Sequence, residues 1–300
     1  MSAARDETPA VARQRVRRAL RKARQATPLI QGDVAKRLGW SLSKVQRIES
    51  GEVAVSVTDL RALLAVYGVR DEAAIEQLAR DAAIARRQRW WITPEYRKHL
   101  TPGLRMLLQF EAQATTVRAY QPLVIPGDLQ TPAMAEHLLS WSDTSLTDVD
   151  RKVRFDVRML RAKRVAERDD SPAYLLMLDE AVIKRETGGR EVMAEQLESV
   201  AEIIARRPNI HIRLVKLAMG ANLSMMGPFT ILDLSDDDHE DAVVYRESYT
   251  DDTVDHDSET VGYYRQRFES MWPQCYDEID SLRLIRAEAG TLRASLIRDS

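Results

Sequence analysis

Residues 39–51, GWSLSKVQRIESG, decide how this chain is read. A glycine opens the stretch, and glycine takes positive φ without a Cβ penalty. Ser41 or Ser43 can then accept bonds from the free backbone N–H groups at a helix start. Val45 and Ile48 make the apolar side of a short helix, which ends near Gly51. With those two inside, Leu42, Ser43, Gln46 and Arg47 fall on the opposite side, at i, i+1, i+4 and i+5. A glutamine amide can pair with adenine and an arginine fork with guanine, while leucine can meet a thymine methyl. Any solvated helix could carry the same set, so the neighbouring sequence has to decide.

Helical periodicity runs through the first 90 residues. Val16, Ala19, Leu20 and Ala23 form a stripe on a first helix, about 11–26, and Pro28 interrupts it. A second helix from about Ile30 turns Val34, Ala35 and Leu38 inward and stops at Gly39. Gly32 within it lowers helix propensity by up to ~1 kcal/mol. Beyond Gly51, a fourth helix at about Val57–Tyr67 buries Leu60, Leu63 and Leu64, and Asp71 opens a fifth towards Arg89. Two short helices joined by a glycine turn inside a small helical bundle make a helix-turn-helix.

Charge supports this reading. Residues 1–90 hold 18 Lys+Arg against 10 Asp+Glu, or +8; the remainder holds 26 against 36, or −10, within a net charge of −2. Seven basic residues and no acid lie between Arg13 and Arg24. A basic module on an acidic body suggests that one end meets a polyanion. The chain has 300 residues and 44% hydrophobic content, enough for two or three packed domains. Its single cysteine, Cys275, excludes a disulfide framework within the chain. The N-terminus lacks the apolar core of a signal peptide, and no stretch approaches the roughly 18 apolar residues of a membrane span. A soluble cytoplasmic protein, with no membrane partner, is expected.

The stretch from Gly32 to Val69 is similar to the helix-turn-helix of Cro- and phage-repressor-like proteins, the xenobiotic-response-element class, and the resemblance covers about residues 13–70. It implies that Ala35 lets two helices cross, that Gly39 makes the turn, and that Leu42, Ser43, Gln46 and Arg47 read bases. It further implies that Gln31 holds a phosphate and buttresses the reading helix. Lys44, Arg13 and Arg17 join Gln31 as expected phosphate contacts.

Beyond residue 90 the period changes. Arg86-Arg87-Gln88-Arg89-Trp90-Trp91 reads as a domain junction. A short extended segment, Leu123–Ile125, lies among Pro122, Pro126 and Gly127, and Pro132 suits the first turn of a helix. Asp148 to about Glu167 is a long charged helix with Val153, Val157, Leu160 and Val165 on its apolar side. Residues 173–178, 210–215, 229–234 and 242–245 read as strands, 192–205 as a helix, and 258–284 as a final helix. The whole is expected to be α+β: an all-α helix-turn-helix domain, then a helix-rich α+β domain with a small sheet. Expected bounds are a flexible N-terminus 1–12, a DNA-binding domain 13–89, a regulatory domain 90–285 and a C-terminal tail 286–300.

Tyr120–Thr131 (YQPLVIPGDLQT), Leu178-Asp179-Glu180-Ala181, Arg207-Pro208-Asn209-Ile210 and Gly227–Leu232 (GPFTIL) resemble the C-terminal domain that follows such a helix-turn-helix in many bacterial regulators. The resemblance implies an antitoxin-like regulator encoded beside a small partner protein, and supplies no catalytic residues. Nor do the residues themselves. There is no phosphate-binding glycine loop, serine elbow or zinc-binding Cys/His set. The acid runs Asp236–Asp241 and Asp251–Asp257 lack the spacing of a calcium loop, and no metal or cofactor is expected. Asp179-Glu180 reads as a strand-ending turn, His211 as a solvent-side strand residue, and Cys275 as buried. The expected function is therefore a non-enzymatic, sequence-specific transcriptional regulator, acting as a homodimer on an inverted-repeat operator. Its C-terminal domain would sense a ligand or small protein; the alternative is a binding protein that sequesters a small partner and autoregulates its operon.

Overall fold

The computed structural model describes residues 9–51, 53–86, 96, 98–112, 114–142, 146–167, 172–219, 226–234, 242–248, 252–255 and 257–299. The chain divides into two compact units, residues 1–93 and 94–300. The expected boundary after residue 89, and the pair Trp90-Trp91, lie outside the described residues.

Among the described residues the first unit is all helical: α1 Pro9–Gln25, α2 Gln31–Leu38, α3 Leu42–Glu49, α4 Val57–Val66 and α5 Glu72–Ala85. Val16, Leu20, Val34, Val45, Leu60 and Leu63 meet in one core. Each such side chain contributes about 1.5–3 kcal/mol on burial. Serines or an aspartate start three of the helices: Ser41 Oγ accepts from Lys44 N, Ser56 from Asp59 N, and Asp71 from Ala73 N and Ala74 N. The helix α1 begins at Pro9, and Ala12 has no exposed surface. Residues 9–12 therefore belong to the domain rather than to a flexible N-terminus.

The second unit is α+β. Its helices are α6 Pro102–Glu111, α7 Pro132–Ser142, α8 Asp148–Glu167, α9 Glu180–Lys184, α10 Arg190–Arg206, α11 Ser258–Met271 and α12 Glu278–Asp299. Six strands, β1 Thr116–Gln121, β2 Ala173–Asp179, β3 Ile210–Val215, β4 Phe229–Asp233, β5 Ala242–Arg246 and β6 Thr253–Asp255, form one sheet in the order β3-β2-β1-β4-β5-β6. The strands β1, β2 and β3 run parallel; β4 pairs antiparallel with β1, β5 antiparallel with β4, and β6 antiparallel with β5. One large core packs Val117, Leu176, Ile212 and Leu232 with Leu197 and Ile285; a second packs Tyr120, Met177, Phe229 and Val244 with Phe268 of α11.

Four expectations are corrected. The strand lies at Thr116–Gln121, and Leu123–Ile125 turns after it, with Leu123 53% exposed. Leu160, expected on the apolar side of α8, is 37% exposed. The final helix is two, because a 3-10 turn at Trp272–Gln274 divides it; Pro273 has no N–H to continue an α-helical ladder. The chain then crosses the end of β3, where Tyr276 N donates to Leu214 O at 3.0 Å and Leu214 N donates to Ser281 Oγ at 2.9 Å. Residues 286–299 are no tail: they continue α12, with Ala289 and Leu292 buried and Arg293 bonded to Glu198 at 2.7 Å.

Candidate nucleic-acid interface

Gly39 sits at φ 67°, ends α2, and lets the chain reverse into α3. Val45 and Ile48 are buried, at 0% and 4% exposure, which fixes the rotation of α3. Leu42, Ser43, Gln46 and Arg47 are all exposed on its other side. The four expected base readers thus share one solvent-facing surface.

Glu49 completes the buried row at i+4 from Val45, and a carboxylate there needs donors. It has three. Arg24 Nε from α1 donates to its two oxygens at 2.8 and 3.0 Å. Gln31 Nε2 from α2 donates at 2.8 Å, and Tyr67 OH, beside α4, at 2.9 Å. Burial and the Glu49 charge push the Tyr67 hydroxyl well above its ordinary pKa, so it stays a donor. This knot ties the end of α3 to α1, α2 and the end of α4. Arg24 and Tyr67 were not singled out in the sequence. The signal was Glu49 itself, an acid at a position the apolar spacing buries.

The expected phosphate contacts separate. Gln31 is half-buried against Glu49. Lys44 Nζ lies 3.2 Å from Asp59 and 3.6 Å from the centre of the Trp40 ring, with 40% of its side chain exposed. Arg13 and Arg17 are corrected, because both are interior. Arg13 is 8% exposed, donates to Ala85 O at 3.2 Å, and burial lowers its pKa. Arg17 is 5% exposed and its Nε donates to Glu49 O at 3.2 Å, satisfying a carbonyl at the end of α3. Their charge serves helix ends and packing rather than the surface.

In the second unit, Asp179 caps α9 by accepting from Ala181 N at 2.9 Å, and Glu180 accepts from Leu217 N at 3.2 Å. Burial pushes the Cys275 thiol up to about 11, which keeps it protonated and unreactive near neutral pH. His211 stands 3.8 Å from Glu278. Asp257 caps α11 and Asp255 pairs with Arg246 at 3.7 Å; residues 235–241, Asp251 and His256 lie outside the described residues. A buried network joins Arg161 to Glu111 and Asp128, with Tyr174 OH donating to Asp128 at 3.2 Å. Burial raises the Glu111 pKa against the opposing pull of Arg161.

The model of a helix-turn-helix domain matches residues 15–78. The model of a domain of unknown function, DUF5753, matches residues 104–287, more than half of the chain. No curated protein and no solved structure gives a significant match.

Proposed function

The chain belongs to the DUF5753 family, with a helix-turn-helix domain preceding that region, and on this premise we propose that it is a sequence-specific transcriptional regulator whose C-terminal unit answers a ligand or a small protein partner. The observation that carries the reading is the surface of α3. Its apolar row is buried and its end is tied down by Glu49, while Leu42, Ser43, Gln46 and Arg47 face outward together. A reading helix needs this combination of a fixed rotation and a polar outer face.

One such helix contacts few base pairs, too few to select a site among ~10⁶ or more competitors. We therefore read the active form as a homodimer on an inverted repeat, with half-sites ~10 base pairs apart or a multiple of that. The test is fluorescence anisotropy of the full chain on duplexes spanning its own promoter, combined with footprinting. Gln46→Ala and Arg47→Ala should each weaken operator binding by ~1–3 kcal/mol for a lost bidentate contact. Melting should be unchanged, because both side chains are exposed. A double variant that protects the same operator at wild-type affinity would overturn the reading.

A further inference from the structure

The stretch Tyr120–Thr131 stood out in the sequence, yet its polar side chains are not on the surface: Gln121 is 9% and Gln130 5% exposed. Its end forms instead the floor of a cleft of about 460 Å³ between α8 and α10. Met159, Ala162, Lys163 and Ala166 line one wall, at i, i+3, i+4 and i+7 of α8. Ser199, Glu202, Ile203 and Arg206 line the other at the same spacing on α10. Each row is one face of a helix. Where helices pack together, such rows carry large side chains that interdigitate. Here Ala162, Ala166 and Ser199 stand at those positions, and they are too small to fill the gap. Packed interiors hold few voids larger than a water molecule, whereas small-molecule sites run from about 300 to 1,000 Å³.

The floor is held rigidly. Gln196, fully buried, donates to Leu129 O at 2.7 Å and accepts from Thr131 N at 2.8 Å. Gln130 Nε2 donates to Ile125 O at 2.7 Å, but Gln130 Oε1 is buried with no hydrogen-bond partner among the described residues. An amide oxygen left so is costly unless a donor reaches it. Leu129, Pro132, Met159 and Ile203 supply apolar surface to the cleft. Of the charged groups that line it, Lys163 pairs with Glu167 at 3.8 Å and Arg206 with Glu202 at 3.5 Å along their own helices, while Glu195 and Arg207 bring one charge of each sign. The cleft therefore offers apolar contact and one unmet acceptor rather than a strong net charge.

We propose that this cleft is the effector site of the C-terminal unit and takes a small, mostly apolar organic molecule carrying one N–H or O–H donor, an inference that rests on reading that unit as a control module. The probes are indole, which has such a donor, and 1-methylindole, which lacks it. Binding to the full chain is followed by saturation-transfer NMR and calorimetry, without DNA. Indole should bind, and 1-methylindole should bind roughly two- to tenfold more weakly, the worth of one hydrogen bond. Ala162→Phe and Ser199→Phe, from opposite walls, should each abolish indole binding while keeping the wild-type melting temperature, so a folding failure in one leaves the other informative. Absence of indole binding to the wild type, or equal binding to both filled variants, would overturn the site. Equal binding of the two probes would overturn the donor. A change of oligomeric state in the filled variants, seen by light scattering, would make the cleft a contact between copies of the chain and overturn the small-molecule reading. Operator binding, measured separately on the same samples, keeps failure of this site distinct from failure of the regulator reading.

Discussion

Truncating Glu49 to alanine removes the acceptor shared by Arg24, Gln31 and Tyr67. Removing one partner of a buried ion pair costs about 3–5 kcal/mol, because the other charge is left without compensation. Two features set the magnitude here. The Arg24 side chain keeps 17% exposure and also donates to Leu29 O at 3.3 Å, so it is partly re-solvated. Tyr67 is 5% exposed and its hydroxyl has little such relief. The lower end, about 3 kcal/mol, follows. In a domain of this size each kcal/mol moves the melting temperature by about 4–8 °C, so a transition confined to the first unit should fall by about 12–24 °C. Calorimetry on the full chain measures it, with Arg24→Met and the double variant closing a thermodynamic cycle. The cycle should return a coupling of about 1.5–3 kcal/mol. A Glu49→Ala variant melting within about 2 °C of wild type, or a coupling near zero, would refute the reasoning.

Arg17→Met should lower the melting temperature but leave the slope of log affinity against log salt unchanged, since Arg17 is interior; Lys44→Ala should flatten that slope by about 0.9 for one lost phosphate contact. A flatter slope with Arg17→Met would return Arg17 to the phosphates. The Thr147 hydroxyl, the His99 ring and the Thr147 backbone N–H hold the Asp150 carboxyl well below the usual carboxylate range. A carboxyl depressed in the folded state contributes stability above its unfolded pKa of about 3.9, and that contribution is lost as pH falls below it. Melting curves from pH 7 to pH 3 should therefore fall more steeply for wild type than for Asp150→Asn, and parallel curves would exclude the contribution.

The first unit was legible because its signals are local. Gly39, Ser41 and the spacing of Val45 and Ile48 fix a turn, a cap and a rotation within ten residues of each other. Arg13 and Arg17 were misread because a basic run looks solvated, whereas their partners, Ala85 O and Glu49 O, lie far along the chain. The strand β1 was hidden for the same reason. TVRAYQ carries an arginine in the interior of the sheet, and Arg118 is tolerated there because Asp233 on β4 faces it. A proline-rich stretch next to it carries a stronger local signal and places the extended segment at Leu123–Ile125, past the end of β1. The strands β2 and β3 are continuous or alternating apolar runs, and these were read with nearly correct ends. The cleft between α8 and α10 had no signature in one dimension, since alanine and serine on a helix face are ordinary until a second helix stands opposite.

Both units bury charge where apolar side chains would pack: Glu49 among three donors, Asp233 between Arg118 and Arg265, and Arg161 between Glu111 and Asp128. Stability alone does not account for this. Desolvation offsets most of the attraction, and well-packed apolar replacements of such groups are often neutral or better. What charge adds is direction. An apolar contact tolerates some rotation of a helix, whereas a carboxylate receiving bonds from three helices does not. At α3 this matters, because a turn of about 100° per residue separates the face carrying Gln46 and Arg47 from its neighbours. Replacing Arg24, Glu49 and Tyr67 together by Met, Leu and Phe separates aim from stability. The triple variant should melt within about 2 kcal/mol of wild type, since no buried charge is left alone. Its discrimination between operator and random DNA should nevertheless fall, while the salt slope of random binding stays the same. A triple variant that keeps both stability and discrimination would show that apolar packing suffices to aim the helix.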